Sequence, residues 1–230
     1  MRKESILELI EEAREIYSII SSHQNISKPK VKTIFEHLRS SLDYLAKDIN
    51  DNLKVPSKIK LYFPYGANKE AFDKSIKRNF PTLQNEISEI YEELLNIQSF
   101  QSRDDWLPKL CSLTNEVKHN NPLDIRHSSE TVNSVIAEVN SMGLISIGGG
   151  SSNIKVRDFY VDGKRIDDFI YDKGKIEITK KGDIPINFKI TKDKKILIGD
   201  ELLDLLPFLD KCINNIYLLT NRIYLVLKKN

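Results

Sequence analysis

LCSLTNEVKHNNPL, Leu110 to Leu123, is where the chain changes character. Before it, apolar residues recur every three or four positions; after it, short alternations and glycine-bearing turns take over. The stretch continues a helix predicted to start at Ser102 or Asp104. At about 100° per residue, Trp106, Leu110, Leu113 and Val117 fall on one face of it. Asn120, Asn121 and Pro122 then end it, because proline disfavours helical backbone in the residue before it. Helices first and strands second predict an α+β chain.

Upstream, Ile6, Leu9, Ile10, Ala13, Ile16, Tyr17 and Ile20 predict an amphipathic helix from Ser5 to about Ser22. Val31, Phe35, Leu38, Leu42, Leu45 and Ile49 predict a second, with Ser27 as N-cap, Pro29 in its first turn and an end near Asn50 to Asn52. KIKLYFPYG reads as an extended stretch, since Pro64 does not fit a helix interior and Gly66 turns the chain. A short helix over Lys69 to Ile76 and a longer one through Leu83, Ile87, Ile90, Tyr91, Leu94 and Leu95 follow. Four substantial stripes are buried most economically as an antiparallel four-helix bundle.

Downstream, Glu130 to Val139 fits helix or strand, and strand is the reading adopted. The turns VDGK (Val161 to Lys164), DKGK (Asp172 to Lys175), KKGD (Lys180 to Asp183) and TKDKK (Thr191 to Lys195) predict a small antiparallel meander. A long C-terminal helix from about Asp200 to Lys228 is apolar around much of its circumference. It is expected to pack on the bundle, on the sheet or across a dimer seam. The division predicted is 1–125 for the helical bundle and 126–230 for the β region with its closing helix.

Lys and Arg number 35 against 33 Asp and Glu, so bulk charge argues against a strongly basic nucleic-acid binder. Cys111 and Cys212 lie far apart in apolar helical patterns, which predicts reduced, buried thiols. Leu202 to Leu227 is interrupted by too many polar residues to span a bilayer, and MRKESILELIEEAREIY reads as an acidic amphipathic helix, not a secretory leader. A cytoplasmic protein with no membrane association is expected. Heavy use of Lys, Asn and Ile points to an AT-rich, bacterial genome.

Asn115 and His119, four apart, share a face with Cys111 roughly opposite the apolar stripe. Two readings stand: a pair that binds phosphate or moves a proton, and a polar helix end with His119 favourable at the helix dipole. Arg39 and Asp43 likewise read as an i,i+4 ion pair or an interhelix hydrogen bond that fixes bundle register, or as a source of a cation. IGGGSS, Ile147 to Ser152, lacks the Lys-Ser/Thr and following helix of a phosphate loop and reads as a turn. Lysines from Lys173 to Lys195 and the aromatics Phe159, Tyr160, Phe169, Tyr171 and Phe188 fit either a base-stacking surface or a sheet core with solvated edges. No cofactor motif, zinc pattern or Ser-His-Asp set is present.

The succession HLRSSLDYLAKDI, YFPYG, FDKSIKRNFPTL and WLPKLCSLTNEVKHN resembles uncharacterised bacterial proteins in or near the HEPN superfamily, over about the first 125 residues. The resemblance implies a bundle of four or more helices that dimerises, with metal-independent ribonuclease activity in active members. It also implies a setting in phage defence or toxin–antitoxin systems. Their motif is an Arg, a following polar residue such as Asn, and a His five positions after the Arg. Here the Asn falls on Asn115, the His on His119 and the Arg position on Thr114. A threonine cannot supply the cation that would stabilise phosphate charge. Lys118 points about 100° away from His119 around the helix, so Arg39 is the other candidate cation. The expectation is therefore a HEPN-like binding, adaptor or regulatory component, as a homodimer and/or with a protein partner. The alternative is an endoribonuclease with RNA as substrate and His119, Asn115 and Arg39 as catalytic residues.

Overall fold

The computed structural model describes residues 1–23, 26–118, 123–128, 130–193 and 195–229. They form mixed helix and antiparallel sheet, divided into two units: residues 1–125 with 197–230, and residues 126–196.

The first unit is helical. It comprises α1 (Lys3–His23), α2 (Lys28–Asp51), α3 (Lys69–Asn79), α4 (Leu83–Glu86), α5 (Ser88–Asn96), α6 (Ser99–Ser102), α7 (Trp106–Lys118) and, from the far end of the sequence, α8 (Leu205–Leu227). Helix α2 starts as its sequence predicts, with Ser27 at the N-cap and Pro29 in the first turn. Helix α8 packs against α1, α2, α5 and α7. Its buried residues, Phe208, Leu209, Ile213, Ile216 and Ile223 among them, cover more than one face, as its apolar circumference requires. The last helix thus completes the helical unit: residues 197–230 group with residues 1–125.

Two helix boundaries differ from expectation. The helix predicted through Leu83 to Leu95 is broken at Ile87, whose backbone leaves the helical region at φ −140°, ψ 69°. The break lets the Glu86 carboxylate accept the Lys54 amide at 2.7 Å while Ile87 stays buried. Helix α8 begins at Leu205, not at Asp200, because Gly199 to Leu202 turn a hairpin between β10 (Ile196–Ile198) and β11 (Leu203–Asp204). Gly199 (φ 69°) and Leu202 (φ 51°) supply the left-handed backbone at its two ends.

The segment from Leu53 to Gly66 joins no helix or sheet. Its polar backbone is met instead by three buried amide side chains. Asn50 accepts the Ser57 amide at 2.8 Å and donates to the Ser57 carbonyl at 3.2 Å. Asn79 accepts the Tyr62 amide at 3.0 Å, and Gln98 accepts that of Gly66 at 3.1 Å. Leu53 and Phe63 anchor the segment in the core, so it is held at both ends although it has no regular structure.

The second unit holds two three-stranded antiparallel sheets. One has the order β3 (Met142–Gly148), β2 (Thr131–Val139), β9 (Asn187–Asp193); the other β4 (Ile154–Val156), β7 (Asp168–Asp172), β8 (Lys175–Lys180). A two-stranded ribbon pairs β5 (Tyr160–Val161) with β6 (Lys164–Arg165). A third sheet has the order β1 (Ile125–His127), β10, β11. VDGK and DKGK are hairpin turns with positive φ at both central residues. The simple meander is corrected: β9 returns to pair with β2, and Thr191 to Asp193 of TKDKK lie in that strand. Asp167 directs this return by accepting the amides of Gly182 at 2.7 Å and Ile186 at 3.2 Å.

Val135, Ala137 and Val139 alternate along β2 into a shared core with Phe169 and Tyr171 of β7. IGGGSS is a turn with a packing reason for glycine: a Cβ on Gly149 would stand 1.6 Å from the Val132 carbonyl oxygen. The Tyr171 hydroxyl donates to the Gly149 carbonyl at 2.6 Å. Gly149→Ala is therefore expected to destabilise the chain by about 3 kcal/mol, the upper end of ordinary overpacking costs. A urea titration followed by circular dichroism checks it.

Candidate functional site

Helix α7 carries the candidate residues. Its sequence buries Trp106, Leu107, Leu110, Cys111, Leu113 and Thr114, an apolar arc wider than the stripe read from periodicity. Pro108 sits in the first turn, where a missing N–H does no harm. The Asp104 carboxylate accepts the Trp106 amide at 3.3 Å as the helix opens. Thr114 lies at the centre of the buried arc, fully enclosed, and its hydroxyl donates to the Leu110 carbonyl at 2.6 Å. Asn115, the next residue, is exposed. His119 and the side chain of Lys118 lie outside the described residues.

Cys111 is buried, at 1% exposure, as its apolar helical pattern predicts, although it shares a face with the exposed Asn115. The reason is Arg39 of α2, whose guanidinium donates to the Cys111 sulfur at 2.8 Å and so draws that side of α7 against α2. The Arg39 side chain is itself nine-tenths buried. Its second contact is Asp43 at 3.4 Å, an ion pair and not a hydrogen bond: the Asp43 Oδ1 has no hydrogen-bond donor. Both structural roles foreseen for Arg39, the i,i+4 ion pair and the interhelix bond, are present. Tyr65, from the YFPYG segment, is near enough to feel Cys111 and Arg39. Burial pushes its phenol up, Cys111 adds to this and Arg39 opposes it.

The cation does not activate the thiol. Burial holds Cys111 above the ordinary thiol range, and the opposing pull of Arg39 is smaller. Cys212 is fully buried in α8 and raised further, again by burial. Both thiols are free. Native protein is expected to leave Ellman's reagent unreacted over minutes at mildly alkaline pH, and denatured protein to titrate both cysteines at once. One fast-reacting thiol in the native state would contradict this packing.

The remaining candidates separate. Phe169 and Tyr171 are in the core and Phe188 packs edge-on to Phe169 at 5.0 Å, so these aromatics form the inward face of a sheet. Phe159 and Tyr160 are exposed. Among the described residues no group of three or more His, Cys, Asp or Glu side chains has the geometry to hold a metal ion. No helix among them is long and apolar enough to cross a membrane. The sequence reading missed the buried amides Asn50, Asn79 and Gln98 and the Arg39–Cys111 contact. The available signal was polar residues recurring on otherwise apolar helix faces.

Comparison with protein-family models, curated proteins and solved structures gave no match.

Proposed function

We propose that this chain is a HEPN-like protein that works by association, as a binding, adaptor or regulatory component, and does not cut RNA. One observation carries the reading. Thr114, at the position where active members of that superfamily carry arginine, is fully buried and its hydroxyl is bonded to the Leu110 carbonyl. A neutral group there leaves Asn115 without the adjacent cation that phosphate chemistry needs. The resemblance supplies the setting, a bacterial phage-defence or toxin–antitoxin system, and the form, a homodimer and/or a complex with a protein partner.

A second reading has its own support. Arg39 reaches α7 at Cys111, one turn before Asn115, which brings a guanidinium within a turn of the motif. In that reading Asn115, His119 and Arg39 form a composite metal-independent ribonuclease site. Arg39→Gln separates the two: loss of RNA cleavage at an unchanged fold supports the second, whereas absence of cleavage in the wild type supports the first.

A further inference from the structure

The segment between α2 and α3 combines features that solvation alone does not require. Val55 is 62% exposed, Ile59 48% and Tyr62 41%. Four of the sixteen exposed large apolar side chains among the described residues fall between positions 55 and 65, a concentration that scattered surface residues do not produce. The same region is charged. Residues 54–78 hold six lysines and Arg78 against Glu70 and Asp73, seven minus two, for a net +5 in a chain whose total is +2. The rest of the chain is therefore acidic by three overall, although residues 173–195 hold a second basic run, eight lysines against Glu177, Asp183 and Asp193. What sets residues 54–65 apart is that their lysines lie among exposed apolar side chains.

Two of the acids in and beside the region, Asp73 and Glu86, are already engaged. Lys69 and the Tyr91 hydroxyl hold Asp73 at 2.7 and 2.9 Å, and Glu86 accepts the Lys54 amide. Through the Asn79 bond to the Tyr62 amide, the basic last turn of α3, with Lys77 and Arg78 both exposed, lies beside the segment. The segment is also fixed in place by Asn50, Asn79, Leu53 and Phe63, so a partner meets apolar groups whose ordering has already been met in folding.

We infer that residues 54–62 are a docking strip for an acidic, apolar-bearing peptide segment of a protein partner, an inference that rests on the association reading above. Charge complementarity selects the acidic partner: Lys54, Lys58 and Lys60 flank Val55 and Ile59 and would pair with carboxylates. Val55 and Ile59, the most exposed of these groups, offer no face on which a base stacks and favour a peptide; Tyr62 does offer one, so an oligonucleotide is the competing occupant that the test must exclude.

Selection of random linear peptides displayed against the immobilised full-length chain tests this, with the best binder then measured by fluorescence polarisation. The expected result is a net-negative peptide bearing apolar residues. Its affinity should weaken with salt and fall at least about tenfold in Ile59→Ser/Lys58→Glu/Lys60→Glu. These three side chains are exposed, so the variant should keep the wild-type melting curve. Should charge reversal disturb folding, Ile59→Ser alone removes only exposed apolar surface and must still weaken binding. No peptide above background, peptides without acidic bias, or affinity indifferent to these substitutions would overturn the inference. So would a single-stranded oligonucleotide that displaces the peptide and binds more tightly through the same residues. An RNA-cleaving wild type would undo the association reading and leave this selection to be judged on its own outcome.

Discussion

Thr114→Arg is expected to unfold the helical unit, not to create a ribonuclease. The substitution completes the Arg-Asn pattern on paper, yet position 114 is fully enclosed in the arc that α7 buries. An arginine there must take its charge out of water, a cost of several kcal/mol. It must also displace close-packed neighbours. Against a total stability of about 5–15 kcal/mol, that is a large fraction. Thr114→Val serves as the control: it keeps the shape, gives up one hydroxyl bond to Leu110 and should cost about 1 kcal/mol. Urea midpoints of the two variants decide the matter. A stable Thr114→Arg chain would mean that α7 can turn this residue outward, and the assignment of its buried face would be wrong.

Asp48→Ala should have the next largest effect. Asp48, 1% exposed on α2, accepts the Arg2 backbone N–H at 2.5 Å and the Arg2 guanidinium at 2.5 Å. It also accepts the Tyr224 hydroxyl of α8. One carboxylate thereby ties the start of α1 and the end of α8 to α2. Burial, with Asp48 adding to it, pushes the Tyr224 phenol well up, so the phenol remains a donor across ordinary pH. Removing the carboxylate leaves the phenol and the Arg2 groups without their acceptor, an expected loss of about 3–5 kcal/mol. Asp48→Asn, which retains an acceptor oxygen, should lose less. Tyr224→Phe combined with Asp48→Ala should cost less than the two separately, because both break one interaction. Additive losses would place the stabilisation elsewhere.

Local signals were legible in the sequence where one residue type determines one backbone state. Ser27 and Pro29 marked the start of α2, and Asp162-Gly163 and Lys173-Gly174 marked hairpin turns. Thr131 to Val139 alternates and is a strand. The Asn140-Ser141 turn between β2 and β3, with φ 50° and 65°, carries no glycine and so gave a weaker signal. The break at Ile87 was hidden because the apolar stripe continues across it; what ends the helix is a capture of Glu86 by Lys54, a residue 32 positions away. Periodicity reports which face is buried and not what covers it. For that reason the place of α8 among α1, α2, α5 and α7 stayed open until the two ends of the chain were seen together.

The site divides along the same line. That a threonine stands beside Asn115, where the proposed resemblance would place an arginine, is visible in the sequence, and so is the i,i+4 spacing of Arg39 and Asp43. Neither the full burial of Thr114 nor the reach of Arg39 to Cys111, 72 residues on, has a local signature.

The account is tested most directly by an endoribonuclease assay on total RNA and tRNA with EDTA present, comparing the folded wild-type chain with His119→Ala. Association without catalysis predicts that both leave the RNA intact over hours. Cleavage by the wild type that is lost in His119→Ala would contradict it. That result would make the motif around Asn115 a working ribonuclease site served by a cation other than residue 114.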